Sequence, residues 1–181
     1  MQLFKQEEVL NFWFKELTPT DWFAGGNELD NLIKERFLAY LEACSKGELF
    51  SWRETPRGRL AEIIILDQFS RNIHRGTPLA FSNDALALAL AQEMVFHNFD
   101  KQLSLEERSF SYMPYMHSES SLIHIEAMKL FSIPGLEENL KFEIEHKNII
   151  DRFGRYPHRN KILGRTSTPE EIEFMKVHQG F

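Results

Sequence analysis

Residues 55–74 read TPRGRLAEIIILDQFSRNIH, and their spacing decides the fold. Thr55 and Pro56 form a helix start. Threonine caps the first free amides, and proline at the first helical position sacrifices no bond it would have made. A helix of 3.6 residues per turn then advances about 100° per residue. On that count Leu60, Ile63, Ile64, Asp67, Arg71 and His74 share one arc of roughly 100°. Three aliphatic side chains and an acid–base pair therefore occupy one stripe. Charges on such a stripe are costly unless they are paired. Asp67 precedes Arg71 by four residues, the favourable order for a helical ion pair. The segment reads either as a buried pair locking two helices or as the charged floor of a cleft, with Gln68 and Asn72 beside it.

The same helical grammar runs in both directions along the chain. Val9, Leu10, Trp13, Phe14 and Leu17 make the stripe of a first helix over 6–17, which Thr18-Pro19 ends. Trp22-Phe23-Ala24-Gly25-Gly26 reads as a loop carrying two large anchors. A second helix spans about 27–46, with Gly47 as a left-handed cap. After the break at Gly76-Thr77-Pro78, Ser82 is expected to cap a fourth helix reaching about Asn98. Ser104-Leu105-Glu106-Glu107 is a capping box for a fifth, which Pro114 should interrupt. Helices follow over 122–131 and 136–153, and Thr168-Pro169-Glu170-Glu171 caps the last. Hairpin signals are absent. The expectation is one all-α domain over 1–181 without β-sheet, built of stacked antiparallel helical hairpins.

Composition narrows the function classes. At 181 residues with 43% hydrophobic and 13% aromatic content, the chain can fill a substantial core. A net charge of −6 argues against sequence-blind nucleic-acid binding, which needs a positive surface. No window reaches the roughly 20 apolar residues of a membrane helix, so no membrane partner is expected. The N-terminus lacks a signal-peptide pattern, and the lone Cys44 suits a reducing, cytoplasmic setting with the thiol as core filler. No HExxH-like motif or glycine-rich phosphate loop occurs, so neither metal nor cofactor is expected. Oligomeric state is left open.

Two further segments carry chemistry. In Tyr115-Met116-His117-Ser118-Glu119, a histidine that titrates near neutrality lies two residues from a carboxylate, which is a candidate acid–base pair if the chain leaves regular helix. In Asp151-Arg152-Phe153-Gly154-Arg155-Tyr156-Pro157-His158-Arg159-Asn160, followed by Leu163-Gly164-Arg165, four arginines and a histidine crowd a short stretch of an acidic protein. Gly154 can cap the preceding helix and Pro157 can start a short new one. Arginine forks beside a helix start are a recurrent anion site. The competing readings are a solvated basic turn, or arginines neutralising Asp67, Glu119 and Glu126. Asp67, Arg71, Glu119, Arg155 and His158 are expected to converge on one region.

These segments, with Val9–Phe14, Trp22-Phe23, Arg75-Gly76-Thr77 and Ser167-Thr168-Pro169-Glu170-Glu171, resemble the bacterial domain of unknown function family 924 over nearly the whole chain. The resemblance implies an all-helical fold similar to tetratricopeptide-repeat proteins, and no established reaction, cofactor or substrate. The family pattern carries proline where this chain has Ser70, which predicts a more regular third helix here.

Three functions fit. The first is a binding module whose site for a small anionic ligand or acidic peptide is built from Asp67, Gln68, Arg71, Asn72, Arg152, Arg155, His158, Arg159, Asn160 and Arg165. The second is an enzyme acting on an anionic small molecule, with His117, Glu119 or His158 as its acid–base group. The third is a structural protein whose polar cluster only locks the fold.

Overall fold

The computed structural model describes residues 4–178 and 180, without the side chains at 23 and 24. Every regular element among them is helical. The α-helices are α1 (Gln6–Asn11), α2 (Pro19–Ala24), α3 (Asn27–Ser45), α4 (Pro56–Ile63), α5 (Ser70–Ile73), α6 (Asp84–Phe96), α7 (Leu105–Met116), α8 (Ser121–Phe131), α9 (Glu137–Phe153) and α10 (Pro169–Val177). Short connections join consecutive helices such as α7, α8 and α9, which pack on one another.

Caps place several of the boundaries. The Thr55 hydroxyl accepts from the Gly58 amide at 3.0 Å. Ser104 with Glu107 and Thr168 with Glu171 both close capping boxes. Gly154 ends α9 in the left-handed conformation at φ 69°, where a side chain would be strained.

Several expectations need correction. The segment expected to be a loop at Trp22 is the second half of α2, because Thr18 and Pro19 do more than end the first helix. Thr18 caps and Pro19 leads a new helix, with Asp21 completing the box. The Phe23 side chain, expected as an anchor, lies outside the described residues. Ser82 does not cap the fourth helix; its hydroxyl donates to the Leu79 carbonyl, and Asn83 stands at the cap. Pro114 does not interrupt α7. It sits near the C-terminal end, and the fresh start comes later, at Ser121.

The third helix is continuous through Ile73 but not regular. Between α4 and α5, residues Ile64–Phe69 form wide π-type turns, marked by the Ser70 amide bonding five residues back to the Ile65 carbonyl. A similar turn over Phe12–Glu16 follows α1, and there Phe12 and Trp13 are both buried. Such bulges shift the register of a helix face and recur at functional sites.

The main core surrounds this irregular helix. Ile63, Ile64, Ile65, Leu66 and Phe69 are wholly buried. Trp13 packs edge-on to Phe69 and Phe110 at centroid separations of 5.7 and 5.5 Å. Each such pair adds about 0.5–1.5 kcal/mol beyond its buried area. Cys44 is buried in the same core. A smaller cluster of Ile149, Ile150 and Tyr156, with Phe153 and Phe174 against it, holds the C-terminal segment onto α9.

Candidate functional site

Three helical stripes and the C-terminal segment enclose a cavity of about 620 Å³. The third helix contributes Gln68, Arg71, Asn72 and Arg75 at spacings of three, four and seven, one face of a helix. α7 and its end supply Met113, Met116 and His117, and α9 supplies Asn139, Phe142 and His146. His158 and Arg159 come from the short 3₁₀ turn Pro157–Arg159.

Asp67 organises the polar wall from behind. Its carboxylate is 1% exposed and accepts from three side chains. Arg71 Nη1 is at 3.1 Å, His117 Nδ1 at 2.7 Å and Gln68 Nε2 at 2.7 Å. Burial works against its charge, yet Arg71 and His117 outweigh burial and hold the carboxyl well below the usual carboxylate range. Arg71 also reaches back to the Asp67 carbonyl at 2.9 Å and forks onto Asp84 at 2.8 and 3.0 Å. Burial alone would lower the Arg71 pKa, but Asp67 and Asp84 raise it.

His117 is oriented by this arrangement. Nδ1 faces the Asp67 carboxylate, so the neutral ring carries its proton there. Nε2 has no hydrogen-bond partner among the described residues, and the ring lines the cavity. Burial, with the Arg71 charge, keeps the ring below its ordinary pKa against the pull of Asp67. At neutral pH, Nε2 is therefore a lone pair.

Arg159 is held differently. Its guanidinium lies 4.6 Å from the ring centres of both Phe81 and Tyr156. Nη2 donates to the His117 carbonyl at 3.0 Å, and Nη1 makes one long contact with Asp84 at 3.4 Å. Nε is buried with no acceptor. Asp67 and Asp84 match Arg71 and Arg159 in number, but Arg71 takes the close contacts of both acids. Burial and the Arg71 charge accordingly pull the Arg159 pKa down. His158, half-buried beside Arg159, is pushed down to about 4, chiefly by desolvation.

The expected convergence is only partial. Arg155 forks onto buried Glu171 at 2.7 and 2.8 Å. Arg165 forks onto Glu119 at 2.7 and 2.9 Å, and Arg152 pairs with Glu170 at 2.8 Å. Asn160 joins this ladder, accepting from Arg165 at 2.9 Å and donating to Glu171 at 3.2 Å. Arg152, Arg155, Asn160 and Arg165 do not line the cavity, nor does Glu119. Glu119 instead accepts from the Tyr156 amide at 2.7 Å. His117 and Glu119 thus face different networks, and the partner of His117 is Asp67. The interior-neutralisation reading holds for Arg155 and Arg165, although Glu126 serves the exposed Lys129.

Sequence reasoning missed Asp84, which stands at the first position of α6, where an acid suits the helix dipole. It also missed Arg75, paired with Asp30 at 2.5 Å, and the apolar wall of Phe81 and Phe142.

The molecule is thus an all-helical protein with an Asp67–His117 pair and arginines beside a cavity. The family described as bacterial protein of unknown function (DUF924) matches residues 9–179, and the chain belongs to it. It is similar to a solved protein of unknown function from Agrobacterium tumefaciens, at 35% identity and a TM-score of 0.91, over 96% of this chain and 97% of that one. No curated protein matches. Among the described residues, no helix is long and apolar enough to cross a membrane.

Proposed function

We propose that the cavity is the binding site of a small anionic ligand, with Arg159 as the principal contact. The observation that carries this reading is the incomplete neutralisation of Arg159 at the cavity wall. It has one long carboxylate contact, to an acid that Arg71 already engages twice. A buried charge so poorly paired is a cost to the fold, and a ligand oxyanion offsets it. The cavity volume of about 620 Å³ suits a small molecule better than an acidic peptide. A cytoplasmic setting and a tetratricopeptide-like stacking of the hairpins go with this reading, supported by buried Cys44 and by the packing of α7, α8 and α9.

The test is thermal unfolding with added sodium phosphate or acetate. A ligand confined to the native state raises stability by about 2.7 kcal/mol at a hundred times its Kd. The shift should shrink as sodium chloride is added and disappear in Arg159→Ala. Equal weakening by Arg155→Ala and Arg159→Ala would argue against the cavity as the site.

A second reading, an enzyme acting on the bound anion, is favoured by one observation. Asp67 fixes His117 with Nε2 turned to the cavity, the orientation of a general base. Imidazole ¹⁵N spectra at neutral pH should find the proton on Nδ1 of His117, and on Nε2 in a share of molecules of Asp67→Asn. An Nε2–H tautomer in the unaltered protein removes the base.

A further inference from the structure

We infer that the ligand is amphiphilic: a carboxylate head at Arg159 with an unbranched apolar tail running between α7 and α9. This rests on the anion-site reading above and adds the class of molecule. The cavity does not end at its charged wall. A second cleft of about 310 Å³ adjoins it, and the two share Trp22, Met113, Asn139 and Phe142 as lining residues. The two volumes are therefore neighbours across one set of side chains, and a channel spanning both is part of the inference.

The chemistry changes along that channel. At one end stand Arg71, Arg159 and His117. In the second cleft the walls are Phe110 and Leu136, both buried, with Leu105 and Phe142 at the rim. Phe142 is 49% exposed and Leu105 45% exposed, although both line this cleft. Met113 and Met116 lie along the α7 side of the first cavity. Thioether side chains are flexible and polarizable, and they adapt to a chain of variable shape. The charged groups lining the second cleft are acids, Glu106 and Glu138, and Glu138 pairs with Lys141. Charge complementarity thus sets the direction: an anionic head is favoured at the arginine end and disfavoured at the other, and the apolar tail faces apolar walls. A monoanion fits the wall better than a dianion, because Arg71 takes the close contacts of both acids and Arg159 alone is left incompletely paired.

The test is a chain-length series measured by calorimetry or ligand-observed NMR on the whole protein. The probes are acetate, butanoate, hexanoate and octanoate, with neutral octanamide and inorganic phosphate as controls. Burial of one methylene corresponds to about fourfold in affinity at full burial. Octanoate is expected to bind at least about a hundredfold tighter than acetate, and tighter than octanamide. Leu105→Ser, which alters the second cleft alone, should remove part of the gain with chain length while leaving acetate and phosphate binding unchanged. Arg159→Ala should weaken every anion in the series.

Binding of acetate and phosphate with no dependence on chain length overturns the amphiphile and leaves the anion site standing. Octanamide binding as tightly as octanoate, or a full chain-length gain retained in Leu105→Ser, also overturns it. Failure of every carboxylate and of phosphate to bind overturns both readings together.

Discussion

The cavity and the C-terminal ladder use the same side chain to opposite ends. In the ladder, Arg155 and Arg165 each find a carboxylate fork of their own, Glu171 and Glu119, and the geometry closes with both oxygens engaged. In the cavity, Arg71 draws on two acids while Arg159 is left with a remote share of one. Both groups come from arginine-rich sequence, and Arg155 and Arg159 are only four residues apart. The difference lies in what packs opposite them. α10 brings a capping-box glutamate against Arg155, whereas Arg159 meets aromatic rings and open volume. Crowding of arginines in a sequence therefore does not identify a ligand site. Incomplete pairing beside a cavity does.

The largest effect expected from breaking this contrast is on stability. Arg71→Ala removes the guanidinium paired with buried Asp67 and leaves that carboxylate only the neutral donors His117 and Gln68, and it should cost about 3–5 kcal/mol in urea unfolding. Arg159→Ala should cost clearly less, since it strands no acid that Arg71 does not already hold. Equal losses for the two variants would show that Arg159 is as fully paired as Arg71.

Binding comes next. Arg159→Ala should weaken phosphate or acetate by at least about tenfold, equivalent to 1.4 kcal/mol, while Arg155→Ala leaves affinity unchanged. Arg155→Ala should instead lower the melting temperature, because Glu171 loses its fork. Titration of both variants under one salt condition separates the two clusters.

Acid should reach the cavity before the ladder. His158 is pushed down to about 4 and His146 to about 3, both mainly by burial, and His117 is lowered as well. In the unfolded chain these rings take up protons near pH 6.5. Below that value the unfolded state binds more protons, so stability falls as pH drops from about 6.5 towards the folded values. Glu171 is held at about 2, first by its bond to Arg155. Its contribution is present above its unfolded value of about 4.3 and is lost as pH falls through 2. Urea midpoints should therefore decline already between pH 6.5 and 5, and His158→Gln should flatten part of that decline. A midpoint constant down to pH 5 would show that the cavity histidines are solvated.

The smallest effect sharpens the other side. Thr168→Ala removes a cap that accepts from the Glu171 amide at 3.2 Å, and it should cost about 1 kcal/mol without changing anion affinity. Any loss of binding here would mean that the ladder and the cavity are coupled.

Much of the molecule was legible in local sequence. Periodicity and caps located the helices, because a helical stripe and an N-cap are properties of neighbours within a few residues. The same logic placed Asp67 and Arg71 on a buried stripe, and Asp67 is 1% exposed. It named Arg159 and His158 among the candidates for the cavity, but it could not separate Arg159 from Arg155. Tertiary packing alone decided that Glu171 faces Arg155, that Asp84 is shared, and that Asp67 rather than Glu119 orients His117 across 50 residues of chain. It also decided the π turns at Ile64–Phe69 and the cleft between α7 and α9. The physical reason is range. Helix formation is set by bonds between residues about four apart, whereas charge pairing and cavities depend on which faces meet once those helices pack.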